Sequence, residues 1–228
     1  MAAQTVRQLC WAWLTLAVVF IGCSGPRRAR WWEWYYEKDK IGPQVSSPYQ
    51  RVEKLRELAV SGSKLPDAEQ QRLTNILLED IQREEDPAMR VELLHTLTSL
   101  NNATSVAILR AALSDPNPLV RCAACEGWRK RGGAEAAPVL IRMMKEDNEF
   151  DVKMTAAREL GILGDPAAVP ELGVLLDDPN PAMQNRGVES LRAITGKEFG
   201  DDVTKWKSFV QGGSPAEISV VSKFIRRF

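Results

Sequence analysis

Residues 152–172 read VKMTAARELGILGDPAAVPEL. Val152, Ala156, Leu160 and Leu163 follow one another at steps of 4, 4 and 3, which puts them on one face of a helix. Gly164 then supplies a stop, because glycine enters the left-handed conformation that ends helices. Asp165-Pro166 supplies the next start, an N-cap carboxylate ahead of a proline at the first helical position. The stretch is therefore one helix, a tight turn and the beginning of a second helix.

The same unit recurs along the chain. Met89-Arg90, Val120-Arg121, Val152-Lys153 and Met183-Gln184 align at offsets of 31, 32 and 31 residues. Three further slots repeat in step: Leu93, Ala124, Ala156 and Gly187; Leu97, Trp128, Leu160 and Leu191; Leu100, Arg131, Leu163 and Ile194. Small residues at the first of these slots let neighbouring helices approach closely. Arg131 interrupts the third slot and predicts a frayed or locally hydrated layer there. Asp86-Pro87, Asn117-Pro118 and Asn180-Pro181 repeat the helix start of Asp165-Pro166, and Gly132-Gly133 repeats the stop. Ser47-Pro48-Tyr49-Gln50 and Ser214-Pro215-Ala216-Glu217 read as capping boxes. Helices are predicted near 48–60, 67–83, 87–100, 104–114, 117–131, 135–146, 149–163, 166–177, 181–194, 201–211 and 214–227. No segment alternates in the manner of a strand, so the fold class is all-α. A single short hairpin has too little core to stand alone and must stack on its neighbours.

The stretch 152–172 resembles a HEAT repeat of the short, bilin-lyase-like type, and the resemblance covers about residues 86–210. Ile194-Thr195-Gly196-Lys197-Glu198-Phe199-Gly200 followed by Trp206 is similar to the ending of some bacterial HEAT-repeat lipoproteins. The resemblance implies a right-handed α-solenoid, an armadillo-like superhelix, and protein binding as its use.

The chain's beginning reads as an address. Leu9 to Ile21, LCWAWLTLAVVFI, is apolar apart from Thr15, long enough for a signal-peptide core and short for a membrane span. It ends in Val19-Phe20-Ile21-Gly22-Cys23, which resembles a bacterial lipobox and implies cleavage before Cys23 and acylation of that cysteine. Two or three acyl chains anchor stably, at about 0.8 kcal/mol per buried CH₂. The alternative is an uncleaved signal anchor, since Arg27, Arg28 and Arg30 follow and such charges tend to remain cytoplasmic. Trp31, Trp32, Trp34, Tyr35 and Tyr36 come next; they suit a membrane interface, or else pack onto the first helices. The domain organisation is thus a signal peptide at 1–22, a membrane-proximal tether at 23–47 and a repeat domain at 48–228 closed by a capping helix.

Composition narrows the chemistry. Lys+Arg 30 balances Asp+Glu 30 in 228 residues, which argues against a nucleic-acid partner, because such affinity comes from phosphate neutralisation. A single histidine, His95, excludes multi-histidine metal centres, including the paired His-Glu motifs of HEAT-repeat hydroxylases. Four cysteines make no disulfide framework at this length. Cys122 and Cys125 form a C-x-x-C inside a helix, where core packing is the natural reading rather than redox chemistry. No phosphate-binding loop, dinucleotide fingerprint or nucleophile elbow is present. The expectation is a non-enzymatic scaffold with no cofactor, no metal and no small-molecule substrate, lipid-anchored at a bacterial envelope membrane and holding a partner protein. An accessory or lyase-type enzyme and a signal-anchored, cytoplasm-facing adaptor are the alternatives.

The partner is expected on the second helices of the repeats. Between their core slots lie two rows, His95, Glu126, Arg158 and Glu189, then Thr98, Arg129, Gly161 and Arg192. Glu126, Arg129, Arg158, Glu189 and Arg192 form the candidate binding strip, arginine being favoured at binding hot spots. The competing expectation is that Glu126/Arg129 and Glu189/Arg192 only satisfy each other as i,i+3 pairs within their own helices.

Overall fold

The computed structural model describes residues 47–212, and these contain ten α-helices and no strand. They are α1 (Pro48–Ser61), α2 (Asp67–Arg83), α3 (Pro87–Thr98), α4 (Ala103–Ala112), α5 (Pro118–Arg131), α6 (Ala136–Glu146), α7 (Phe150–Leu163), α8 (Val169–Val174), α9 (Pro181–Thr195) and α10 (Val203–Val210). The expected terminal helix at 214–227, the signal segment, Cys23 and the aromatic cluster Trp31–Tyr36 lie outside the described residues.

The helix starts follow from the caps read in the sequence. The side chains of Asp86, Asn117, Asp165 and Asn180 accept hydrogen bonds from the backbone N–H two residues on, at 3.0, 2.9, 2.9 and 2.9 Å. Each satisfies an N–H that the helix itself leaves unpaired. Gly164, at φ 75°, closes α7 in the left-handed region as its position predicts. The helix expected over 166–177 is instead a 3₁₀ turn (Pro166–Ala168), the short α8 and a second 3₁₀ turn (Leu175–Asp177). Pro170 has no N–H to bond the Pro166 carbonyl, which the Val169 N–H takes instead, so the first turn is 3₁₀ and the ladder is interrupted.

Two rows result. The odd helices stack in order, α1 on α3, α3 on α5, α5 on α7 and α7 on α9, while the even helices pack behind them. This is a helical solenoid. Leu93, Ala124, Ala156, Leu97, Trp128, Leu160 and Leu191, all from the aligned slots, are at most 1% exposed and form the core between the rows. Each large side chain buried there contributes about 1.5–3 kcal/mol.

The layer at Arg131 is tied down rather than frayed. Its Nη1 donates to the Leu100 carbonyl at 3.3 Å and to Ser105 Oγ at 3.2 Å, and its Nη2 donates to the Asn102 carbonyl at 3.3 Å. The guanidinium adds to the Ser105 hydroxyl, which also donates to the Leu100 and Asn102 carbonyls at 2.7 and 2.8 Å, so a charged residue serves where the other repeats carry an aliphatic one. At the last described repeat, Trp206 is fully buried, its Nε1 donates to the Gly200 carbonyl at 2.9 Å, and Phe199 meets it edge-on at 4.9 Å between ring centres.

Candidate partner-binding face

The strip predicted from the sequence falls on α5, α7 and α9, in the stacked odd row. Two of its pairs cross between helices, while Glu189 pairs along its own helix. Arg158 of α7 reaches back to Glu126 of α5, Nη2 to Oε1 at 3.0 Å. Arg129 of α5 reaches forward to Glu159 of α7, Nε to Oε2 at 2.5 Å. Glu189 pairs with Arg186 at 2.7 Å and accepts from Asn185, both on α9. Arg192 turns toward the next loop, to the Gly200 carbonyl at 3.1 Å, Asp201 at 3.3 Å and Glu198 at 3.4 Å. The i,i+3 partners expected for Glu126 and Glu189 are therefore replaced. Side chains on stacked helices stand closer than the helix pitch requires when the helices themselves approach closely.

Glu159 is the residue the sequence reading overlooked. Its side chain is only 3% exposed, and both carboxylate oxygens are taken, Oε2 by Arg129 and Oε1 by Arg158 Nε at 2.9 Å. A buried carboxylate is tolerable only when paired and hydrogen-bonded in this way. Its signal was in the alignment: Glu159 shares a slot with Thr96, Gly127 and Ser190. Thr96 donates to the Leu55 carbonyl of α1 at 3.0 Å, and Ser190 to the Ala157 carbonyl of α7 at 2.8 Å. The slot thus faces the preceding odd helix, and a charge there has to be met from that side.

The two rows do not all face outward. Gly161 is buried: a Cβ on it would stand 2.8 Å from Ser190 Cα, so glycine is required for this approach of α7 to α9. His95, expected on an exposed slot, is half-buried, and its Nε2 lies hidden 3.6 Å from Glu126 Oε2, beyond hydrogen-bond distance. His95, followed by Arg158 and Lys130, holds the Glu126 carboxyl below its ordinary range against the opposing effect of burial.

A second ladder runs along the turns that precede the odd helices. Arg90 forks onto Asp115 at 3.1 and 3.0 Å, and Arg121 onto Asp147 at 2.8 and 2.9 Å. Each arginine also binds the carbonyl six residues before it, of Glu84 and Asp115 respectively, as Gln184 does at Asp178. Two of the period anchors found in the sequence, Arg90 and Arg121, are therefore clamps between consecutive repeats. Burial penalises the charged form of Asp147, yet Arg121 and the Glu149 N–H overcome this and hold its carboxyl below the ordinary value.

Beside this face, a groove of about 540 Å³ opens between α1 and α3, bounded by Arg56, Val60, Glu92, His95, Ser99 and Lys130 among others. Glu92 is taken by Arg56, whose Nη2 and Nε reach it at 2.5 and 3.3 Å. The C-x-x-C thiols are held in the protonated form. Burial pushes Cys125 up to about 12 and also raises Cys122, so neither is a thiolate at neutral pH. Among the described residues no group of three or more histidine, cysteine or acidic side chains is placed to hold a metal.

Sequence comparison agrees with this geometry. The family model for HEAT repeats matches residues 74–161, and the one for the PBS lyase HEAT-like repeat matches residues 152–178. The hairpins within residues 74–178 thus match HEAT-like repeats. The second match falls on the hairpin of α7 and α8. Among curated proteins none matches the chain. HEAT-like repeats commonly mediate protein–protein interaction.

Proposed function

We propose that the chain is a non-enzymatic scaffold, lipid-anchored through Cys23 at a bacterial envelope membrane, which holds a partner protein on its odd-helix face. The run of HEAT-like repeats over residues 74–178 carries this reading. The anchor is supported by the apolar segment that ends in Gly22-Cys23. The strip Glu126, Arg129, Arg158, Glu189 and Arg192 is held rigid by its own pairs, so it presents a fixed charge pattern that needs little ordering on binding.

One experiment tests both parts. Cells fed an alkyne fatty acid should yield tagged wild-type protein and untagged Cys23→Ala. A photo-crosslinking side chain at Ile162, exposed on α7, should give one defined adduct in the wild-type background. An untagged wild type rejects the lipid anchor. A tagged protein without an adduct rejects the scaffold.

A further inference from the structure

We propose that residues 214–228 form the next helix of the odd row and cover the open side of α9, with Lys223 on Glu189 and Val220 opposite Asn185; the proposal stands apart from the scaffold reading. α7 packs on one side of α9, and among the described residues no odd helix lies on the other. α10 packs on α8 and so belongs to the even row, which leaves the odd position after it open. Four residues separate Val210 from Pro215, against five between α4 and α5 and three between α6 and α7. The link thus has the length of those that carry the chain from an even helix to the next odd one. Ser214-Pro215 also repeats the helix start Asn180-Pro181.

The register follows from the seam between α5 and α7. There Cys122 bonds to Thr155, and Glu126 to Arg158 at 3.0 Å. Cys122 and Glu126 stand four and eight places after Pro118, and Thr155 and Arg158 five and eight places after Phe150. The same places after Pro181 hold Asn185 and Glu189, and after Pro215 they hold Val220 and Lys223. Lys223 therefore meets an acid on the preceding odd helix, as Arg158 does. Asn185 is exposed, where Cys122 and Met154 in the same slot are half-buried. The Glu189 side chain is still 43% exposed although Arg186 and Asn185 bind it, and a carboxylate accepts from several donors, as Glu159 does. Val221, Ile225 and Phe228 fall in the slots of Gly187, Leu191 and Ile194, toward the core between the rows. The segment carries Lys223, Arg226 and Arg227 against the single acid Glu217. Its basic end comes level with Glu198 and Asp201, both exposed beyond α9, so the charges are complementary as well.

Cysteine crosslinking in the full-length chain reads this register directly. Cys122→Ser and Cys125→Ala clear the repeat domain of native thiols, and Asn185→Cys with Val220→Cys supplies the test pair. A disulfide needs Cβ atoms about 3.5–4.5 Å apart, which opposed positions on touching helices provide. Mild oxidation should give an intramolecular bond, seen as a faster band without reductant and as a peptide linking positions 185 and 220 by mass spectrometry. Either cysteine alone should give no such band. Ser219→Cys in place of Val220→Cys turns the thiol about 100° round the helix, into the slot that faces away from α9, and should cut the yield about tenfold. No crosslink from the Val220 pair, equal crosslinking from the Val220 and Ser219 pairs, or a crosslink that joins two chains each overturns the proposal; the last would seat the segment on a second copy.

Discussion

Two neighbouring seams of the solenoid solve the same packing problem by opposite means. Between α5 and α7, Glu159 is buried and bridged by Arg129 and Arg158, with Glu126 completing the chain of charges. Between α7 and α9, Gly161 sits against the Ser190 backbone, and Ser190 Oγ bonds the Ala157 carbonyl. The first seam is specified by charge matching, the second by the absence of a side chain. Glu159 and Ser190 occupy the same repeat position, so one slot accepts either solution provided that its facing helix supplies the complement.

The largest effect should come from orphaning the buried carboxylate. Arg129→Met with Arg158→Met leaves Glu159 desolvated and unpaired, and chemical denaturation should show a loss of about 3–5 kcal/mol. Adding Glu159→Thr, the residue type that Thr96 places in this slot, should recover most of that loss. If the triple variant is no more stable than the double, the carboxylate is not what makes the arginines necessary.

The second seam should respond to volume and not to charge. Gly161→Ala drives a Cβ toward Ser190 Cα, a backbone atom that cannot rotate away. The cost is about 1–3 kcal/mol of overpacking, reduced by up to about 1 kcal/mol of gained helix propensity. Raising salt to about 1 M, where the screening length falls to about 3 Å, should leave this difference unchanged. A gain in midpoint for Gly161→Ala would show that the two helices can separate at little cost.

The contrast explains what was legible in the sequence. The period, the caps and the aliphatic slots are local or repeat-periodic, and they located the described helices to within a few residues. The charge pairings of the α5–α7 seam cross between repeats and do not recur at the repeat period. Arg129 and Glu126 look like natural partners on one helix, and nothing short of the stacking distance reveals that each reaches a different residue of α7. Arg131 misled for the same reason: a charged residue in an aliphatic slot reads as a defect until the carbonyls of Leu100 and Asn102 are seen within its reach. Gly161 was legible as a small residue but not as a contact, because its neighbour comes from another repeat.

Acid should weaken the charge-based contacts selectively. Glu126 and Asp147 both titrate below their ordinary values in the folded chain, so each contributes stability that is complete above the unfolded carboxylate range, about 4, and is lost as pH falls through its lowered folded value. Asp147→Asn should therefore flatten the acid limb of the stability profile while costing about 1 kcal/mol or more at neutral pH. An acid limb identical to that of the wild type would assign the pH dependence elsewhere.

The smallest effect concerns the two thiols of α5, which lie beside the charge-matched seam and take no part in it. At pH 8 a group titrating near 12 is about one ten-thousandth ionised, and only the thiolate attacks a disulfide reagent. Cys125 should therefore stay unmodified by an aromatic disulfide until the chain unfolds, with a rate that tracks denaturant rather than reagent. Cys122 is half-exposed and its thiol is raised mainly by burial, with a hydrogen bond to Thr155 pulling the other way, so it should react first but slowly. Cys122→Ser should abolish the slow native-state phase and leave the unfolding-limited phase intact. Rapid modification of both thiols in the native chain, or a disulfide between them, would mean that the helix carrying Glu126 and Arg129 opens readily, and the rigid charge pattern proposed for the binding face would fall with it.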